Sequence, residues 1–239
     1  EAFEYCSDLL FELLQPVRYK DVELEVGVSI GFALCEPGET LLSALRRADL
    51  ALYASKADGR SCVNAYSTDI GAAHDEKMDL IRDFKQAFRN DEIKVTFQPQ
   101  IDGKTGAIAG CEALARWHHP KRGIVGPDVF VSVAKEVNML AELDRRILDL
   151  ALAAYWEFSQ YNINLPSISV NVSAERLGHP GLIEELKQRT DLPASGLAFE
   201  LLETVFLDHV DEDYAKQIDA LKAMGIGIEI DDFGTGHAS

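Results

Sequence analysis

The chain has 239 residues, the length of one large domain or two small ones, and it is long enough to bury a hydrophobic core. Hydrophobic residues make up 47% and charged residues 26% of the sequence, which excludes wholesale disorder. The 40 Asp and Glu outnumber the 23 Lys and Arg, and the net charge of −17 argues against a nucleic-acid polymer or an anionic membrane as partner, since both bind through basic surfaces.

Cysteine spacing and hydropathy indicate a cytoplasmic protein. The four cysteines show no Cys-x-x-Cys spacing and are too few for a disulfide scaffold, so we expect free thiols. No apolar run reaches the roughly 18–20 residues of a membrane span, and the first residues have neither the basic start nor the apolar core of a signal peptide. Because the chain begins without Met, we expect it to be a piece of a longer protein.

Residues 1–66 have the pattern of an α+β fragment. Pro16 ends a first helix, because proline cannot continue one. Thr40 is an N-cap residue at the start of a second helix, and Gly59 is typical of a helix end. In chain order we predict a helix over residues 1–15, a strand over 22–34, a second helix between Thr40 and Gly59, and a short strand over 61–65.

A polar, helix-prone segment over residues 67–92 follows this fragment. Its apolar side chains recur on one helical face, at Met78, Ile81, Phe84, Ala87 and Phe88. We therefore predict a connecting helix whose apolar stripe packs onto the domain that follows.

From residue 93 onward, strand-like runs alternate with helical ones, which is typical of a parallel sheet built from βαβ units. The last three strands are spaced by about 30 residues, the length of one such unit. The predicted strands cover residues 93–98, 109–117, 167–172, 197–202 and 226–231. The predicted helices cover residues 130–137, 140–158, 181–189 and 212–224.

Polar residues stand late in four of these otherwise apolar strands. They are Glu112, Asn171, Glu200 and Asp231. Because late positions of parallel strands gather at the rim where barrel enzymes have their active sites, we expect these side chains to lie close together. Their oxygen atoms are donors that suit Mg²⁺, Mn²⁺ or Ca²⁺. A rim of helix-capping or solvated acids is the alternative that this pattern leaves open.

Asp231 and Asp232 precede a glycine-rich turn. Neighbouring residues of a strand point to opposite faces, so one acid would face inward while the next enters the loop. The pair could therefore serve two metal ions of a phosphodiester-hydrolysing site, in which one ion activates water and both stabilise charge on the phosphate. A simple Asx-capped turn is the alternative.

Five segments match, in order, the motifs of one family. They are Phe97-Gln98-Pro99, Glu112-Ala113-Leu114-Ala115-Arg116-Trp117, Asn171-Val172-Ser173, Glu200-Leu201-Leu202-Glu203-Thr204 and Asp231-Asp232-Phe233-Gly234-Thr235-Gly236. Together they resemble the EAL domain of cyclic di-GMP phosphodiesterases, from about residue 77 to the end of the chain. The ordered set is far more specific than any single motif.

Two earlier segments resemble a second family. Val28-Ser29-Ile30-Gly31 and the run from Ala48 to Arg60 are similar to the C-terminal half of a GGDEF diguanylate cyclase domain. The signature of that domain would precede residue 1, so residues 1–66 alone would not form a cyclase. We therefore expect the middle of a GGDEF–EAL tandem.

The resemblance to the EAL domain implies a fold, a reaction and residue roles. The fold is a TIM-like (β/α) barrel, and the reaction is the hydrolysis of cyclic di-GMP to linear pGpG with Mg²⁺ or Mn²⁺ in bacterial second-messenger signalling. The implied metal ligands are Glu112, Asn171, Glu200, Asp231 and Asp232. Glu112 and Asp232 would also be catalytic, Asp232 through a second metal or the water it activates. Gln98 and Arg116 would contact cyclic di-GMP, and a guanidinium suits phosphate.

Three departures from the family pattern fall near this expected site. Lys135 stands where an acid is usual, and the resemblance assigns it no role. Leu202 replaces a usual Thr. Glu229 shares the inward face with Asp231 by strand alternation, and a further inward acid there would need a metal or a hydrogen-bond partner.

Residues 93–239 account for about five of the family's eight barrel strands. Five strands do not close a barrel, and the missing part would supply a Lys and a Glu of the catalytic site. Two other functions therefore stay open: a non-catalytic cyclic di-GMP receptor or regulatory module, and a barrel-like domain with incidental acids. A homodimer formed through the EAL domain is a further expectation.

Overall fold

The structure is a computed structural model, and it describes residues 1–193, 195–202 and 212–231. Contacts within the chain divide it into two compact units, residues 1–80 and 81–239. No helix within the described ranges is both long and apolar enough to cross a membrane.

The first unit contains two small sheets. Its elements are α1 (Ala2–Leu13), β1 (Val17–Tyr19), β2 (Val22–Leu24), β3 (Ile30–Phe32), α2 (Leu41–Ala57) and β4 (Val63–Ala65). β1 and β2 form an antiparallel hairpin, whereas β3 and β4 pair in parallel and are joined through α2. Gly31 allows α2 to lie directly against β3, because a Cβ atom there would stand 1.9 Å from the backbone nitrogen of Leu52.

The ends of α2 lie where the sequence signals predict them, whereas the strand predicted over residues 22–34 is wrong. Thr40 caps α2, since its Oγ1 accepts a hydrogen bond from the Ser43 nitrogen at 3.3 Å, and Gly59 follows the last turn with a φ of +99°. The strand predicted over 22–34 is two strands, because residues 25–29 belong to no regular element. The sequence pattern also misses β1, which is three residues long and exposed and therefore shows no hydrophobic alternation.

The second unit is built on one main sheet. α3 (Thr68–Ala87) crosses the division between the units. The elements after it are β5 (Ile93–Ile101), β6 (Ile108–His119), β7 (Gly123–Val125), α4 (Pro127–Glu136), α5 (Leu140–Gln160), β8 (Ile168–Asn171), α6 (Ala174–Leu177), α7 (Leu182–Gln188), β9 (Leu197–Leu202), α8 (Glu212–Ala223) and β10 (Gly227–Asp231).

The strands of this sheet follow the order β10-β9-β8-β6-β5, and β7 pairs with β6 outside that row. The predicted parallel pairing is confirmed for β6, β8, β9 and β10. β5 differs, because it runs antiparallel to β6. Residues 102–107 are too few for a crossover connection, so they form a hairpin turn in which Asp102 Oδ1 accepts hydrogen bonds from two backbone nitrogens.

Helices cover the apolar face of the sheet. The ring centroids of Trp117 in β6 and Phe84 in α3 lie 5.4 Å apart, and those of Phe97 in β5 and Phe158 in α5 lie 5.2 Å apart. Phe84 and Trp117 are fully buried, so the C-terminal part of the apolar stripe predicted for the connecting helix belongs to the core, whereas Met78 at its start is exposed. Because alternate residues of a strand point to opposite faces, the other face carries the polar residues of the same strands.

Candidate active site

A cavity of about 720 Å³ opens over the polar face of the sheet, beside the middle of β6 and near the carboxyl ends of β8, β9 and β10. Its volume is typical of a small-molecule site. Apolar residues of α4 and α5, among them Val131 and Ile147, line one side of it. The sequence-predicted side chains that line this cavity are Glu112, Arg116, Asn171, Glu200 and Asp231.

The register of the strands brings these residues together. Asn171 of β8 is the register partner of Glu200 of β9, and Glu200 is the partner of Glu229 of β10. Glu112 of β6 is the partner of Ser169, two residues before Asn171 on the same face of β8. The four predicted positions therefore meet on one face, as expected, although Glu112 lies in the first half of β6 and is not late in its strand.

Neutral donors orient the two glutamates of the cavity. Asn171 Nδ2 donates a hydrogen bond to Glu112 Oε1 at 2.8 Å. Ser169 Oγ and Gln100 Nε2 both donate to Glu200 Oε1, at 2.6 and 3.1 Å. Each glutamate is thus held by residues of other strands, and its position depends on the whole sheet.

Burial raises the pKa of both Glu112 and Glu200, because desolvation disfavours an ionised carboxylate. The negative charge of Glu200 raises the pKa of Glu112 further. Hydrogen-bond contacts with Ser169 and Glu112 partly offset the rise in the pKa of Glu200. Glu229 and Asp231 add repulsion at Glu200, which is 6% exposed. A cation in the cavity would relieve this repulsion.

The donors of this cavity fit a hard divalent cation in their chemistry. Carboxylate and amide oxygens are the ligands that Mg²⁺, Mn²⁺ and Ca²⁺ prefer. In the described part of the chain, no three His, Cys, Asp or Glu side chains are close enough together to hold an ion by themselves. An ion would therefore depend also on Asn171 and on residues outside the described ranges, among them Asp232, whose role stays a prediction.

Gln98 and Arg116, the two predicted substrate contacts, are placed differently. Arg116 lines the cavity, and its Nη1 donates to the carbonyl oxygen of Ala115 at 2.7 Å. Gln98 is the cross-strand partner of Glu112 and shares its face, but it is exposed and does not line the described cavity. Of these two residues, the structure brings Arg116 to the cavity.

Sequence reasoning missed three residues of the site, which are Gln100, Ser169 and Asp144. Asp144 of α5 lines the cavity, is 8% exposed, and accepts hydrogen bonds from the Ser173 nitrogen and hydroxyl at 2.9 and 2.5 Å. Desolvation raises the pKa of Asp144 to about 6. A polar residue on an otherwise apolar helix face or strand is the signal that could have indicated Asp144 and Ser169. Gln100 follows Thr96 and Gln98 on a polar face of β5 and gives no such signal.

Comparisons with known proteins agree with this geometry. The EAL domain model matches residues 81–239. Over the whole chain, 30% of residues are identical to the bifunctional diguanylate cyclase/cyclic di-GMP phosphodiesterase MucR, and 28% to the cyclic di-GMP phosphodiesterase NbdA, both of Pseudomonas aeruginosa. The chain spans 35% of the length of MucR and 31% of the length of NbdA.

Solved structures show the same fold. The PaMucR phosphodiesterase in its c-di-GMP complex has a TM-score of 0.62 and 31% identity, and the match covers 67% of this chain and 66% of that chain. The EAL enzyme Bd1971 in its cAMP- and cyclic-di-GMP-bound form is similar in fold, with a TM-score of 0.60, 24% identity, and 84% of this chain and 53% of that chain covered. Because the family model matches more than half of its residues, the chain belongs to the EAL domain family.

Proposed function

We propose that the protein hydrolyses cyclic di-GMP to linear pGpG in a metal-dependent reaction of bacterial second-messenger signalling. The observation that carries this proposal is one cavity lined by Glu112, Asn171, Glu200 and Asp231 in a chain of the EAL domain family. The printed activities of MucR and NbdA, and the ligand of the PaMucR phosphodiesterase, support the choice of substrate.

The acids of the cavity would hold Mg²⁺ or Mn²⁺ together with Asn171, and Asp232 would serve a second ion or the attacking water. Such ions, when bound, supply an activated water and neutralise charge on the phosphate. Glu112 and Asp232 would stand nearest the reacting atoms. The bond from Asn171 to Glu112 and the bonds from β5 and β8 to Glu200 keep both glutamates directed into the cavity.

Arg116 and Lys135 would bind the phosphate groups of the ligand. They are the cationic side chains among the described residues that line the cavity. A ligand with two phosphodiester groups is repelled by a protein of net charge −17, so it needs local positive charge. The planar guanidinium of Arg116 suits a phosphate, and Gln98 would contact a part of the ligand that extends beyond the described cavity.

The wider architecture follows the same family. We propose that residues 93–239 are about five strands of a TIM-like barrel, that residues 67–92 connect it, and that residues 1–66 are the C-terminal part of a GGDEF-like domain. The match of the whole chain to MucR, whose printed name includes a diguanylate cyclase, supports the last point. A cytoplasmic location and a homodimer of EAL domains belong to this proposal for the whole protein.

The substitution Asp231→Asn in the full-length parent protein tests the proposed hydrolysis. It keeps the shape of the side chain but removes the charge of one metal ligand. We expect kcat/KM for cyclic di-GMP with Mg²⁺ or Mn²⁺ to fall at least about 100-fold, which is about 3 kcal/mol of transition-state stabilisation. Asp8→Asn, at an exposed acid of α1, is the matched control and should leave turnover unchanged. A wild-type protein that binds cyclic di-GMP without forming pGpG would instead be a receptor.

A further inference from the structure

We propose that Gln100 and Ser169 are positioning residues, which hold one carboxylate oxygen of Glu200 and thereby direct its second oxygen towards the metal. The inference rests on the proposed function, because it concerns the same metal-dependent site. Neither residue belongs to the five motifs on which the sequence prediction depends.

The three side chains form a closed triangle of hydrogen-bond contacts. Ser169 Oγ donates to Glu200 Oε1 at 2.6 Å, and Gln100 Nε2 donates to the same oxygen at 3.1 Å. Gln100 Nε2 also lies 3.2 Å from Ser169 Oγ. Both donors therefore meet at Oε1, and neither bonds to Oε2. The carboxyl group of Glu112, which also lines the cavity, is in hydrogen-bond contact with Glu200 as well.

Burial gives these bonds their directing effect. Ser169 is 1% exposed and Glu200 is 6% exposed, so water cannot readily replace a donor that is lost. A buried carboxylate oxygen without a partner is unfavourable, and Glu200 would turn to another rotamer to find one. The triangle thus selects one orientation of Glu200 before any ion binds.

A glycine makes room for Gln100. Gly110 of β6 is the cross-strand partner of Gln100, and a Cβ atom there would stand 3.0 Å from Gln100 Oε1 and 2.3 Å from Ser167 Oγ. Any other residue at this position would displace Gln100 or Ser167. The missing side chain lets Gln100 reach across β6 and touch residues of both β8 and β9.

The charge of the donors matters as much as their position. Glu200 already experiences repulsion from Glu229 and Asp231. A lysine or an arginine in place of Gln100 would neutralise the carboxylate and compete with a metal ion for it. A hydroxyl and an amide stabilise the ionised form while leaving its full charge for the ion. Loss of such a hydrogen-bond partner of a metal ligand typically weakens metal affinity by about 10- to 100-fold.

Substitutions at Gln100 and Ser169 in the full-length parent protein test this inference. Gln100→Met keeps the length of the side chain and removes the donor, and Ser169→Ala removes the hydroxyl with little change in volume. We expect each to weaken the binding of Mn²⁺ alone, measured by calorimetry without substrate, about 10-fold. The Mn²⁺ concentration for half-maximal hydrolysis should rise by the same factor, whereas kcat at saturating Mn²⁺ should change less than about twofold. Gln160→Ala, at an exposed residue of α5, is the control.

The outcomes separate this inference from the proposed function. If wild type hydrolyses cyclic di-GMP and both variants bind Mn²⁺ as tightly as wild type, the inference is wrong while the function stands. If wild type binds Mn²⁺ but forms no pGpG, and the variants bind Mn²⁺ more weakly, the function is wrong and the positioning role remains. Gln100 is partly exposed, so Gln100→Met should fold even where Ser169→Ala does not. Loss of affinity in Gln100→Ala but not in Gln100→Met would indicate packing and overturn the inference.

Discussion

Single residues around the cavity keep its negative charge available. Asn171 donates to Glu112, and Ser169 donates to Glu200, so both carboxylates are satisfied by groups that carry no charge. Positive charge lines the same cavity on Arg116 and Lys135, which belong to β6 and α4. In the proposed function, the acids would bind cations while the two basic residues would bind the anionic parts of the ligand.

Lys135→Met tests whether Lys135 binds a phosphate group of the ligand. Removing its charge should raise KM for cyclic di-GMP about 3- to 10-fold and leave kcat unchanged, because the proposed contact of Lys135 with a phosphate would be the same in the ground state and the transition state. The measurement is steady-state hydrolysis at saturating Mn²⁺ in the parent protein. Lys187→Met, at a lysine of α7 that pairs with Glu184, is the matched control and should change neither constant. A fall in kcat with KM unchanged would contradict this role.

At the scale of elements, Asp144 ties helix α5 to the segment that follows β8. It accepts hydrogen bonds from both the nitrogen and the hydroxyl of Ser173. Ser173 in turn caps α6, since its Oγ accepts from the Arg176 nitrogen at 3.1 Å. Asn171 lies two residues before this cap, so α5 helps to hold a predicted metal ligand in place.

Asp144→Asn should alter the pH dependence of stability. The pKa of Asp144 is about 6 in the folded protein against an ordinary 3.8, so the folded state binds its proton more tightly than the unfolded chain does. Ionisation of Asp144 therefore lowers the free energy of unfolding as the pH rises from about 4 to about 6, by up to about 3 kcal/mol. The variant lacks this contribution, so its free energy of unfolding relative to wild type should increase across that window.

Urea unfolding followed by tryptophan fluorescence measures this difference, because Trp117 and Trp156 both lie in the second unit. Low protein concentrations limit aggregation in this pH range, because the protein has little net charge near its sequence pI of about 4.7. Glu185→Gln is a control for which the pH dependence of stability has the opposite sign. A hydrogen bond from Arg176 lowers the pKa of Glu185 to about 2. The ionised form of Glu185 therefore stabilises the fold at pH values above its ordinary pKa. A difference between Asp144→Asn and wild type that does not vary with pH would contradict the prediction.

At the scale of the whole molecule, the contact of Gln100 with Glu200 requires a concave sheet. β5 and β9 are three strand spacings apart in the order β9-β8-β6-β5, which is about 14 Å in a flat sheet. Side chains that stand perpendicular to a flat sheet would not meet over that distance. The polar face is therefore the inside of a curve, as the proposed barrel requires.

Removal of divalent ions should stop hydrolysis without unfolding the protein. The core around Phe84, Trp117 and Phe199 is apolar and fully buried, so its packing does not depend on an ion. We expect excess EDTA to eliminate pGpG formation, and Mg²⁺ or Mn²⁺ to restore it. The unfolding temperature should shift by a few degrees at most, as expected when a ligand is lost from a folded site. Hydrolysis that persists in EDTA would contradict the metal-dependent mechanism.

Part of the fold could be predicted because local signals suffice for it. A short apolar run locates β9 at Leu197–Leu202, and the cap at Thr40 locates the start of α2. The antiparallel direction of β5 was within reach of the sequence, since residues 102–107 are too short for a crossover. The exposed hairpin of β1 and β2 was not, because strands three residues long at the surface show no periodicity.

The sequence by itself determined which residues are available for chemistry: Glu112, Asn171, Glu200 and Asp231 are polar residues in otherwise apolar strands, and strand alternation places them on one face. Only the tertiary structure decided their partners. Gln100 and Glu200 are 100 residues apart in the chain, and they meet because the sheet curves and Gly110 leaves space between them. The pKa values of Glu112, Glu200 and Asp144 likewise rise through burial. Burial depends on tertiary packing, which local sequence patterns do not specify.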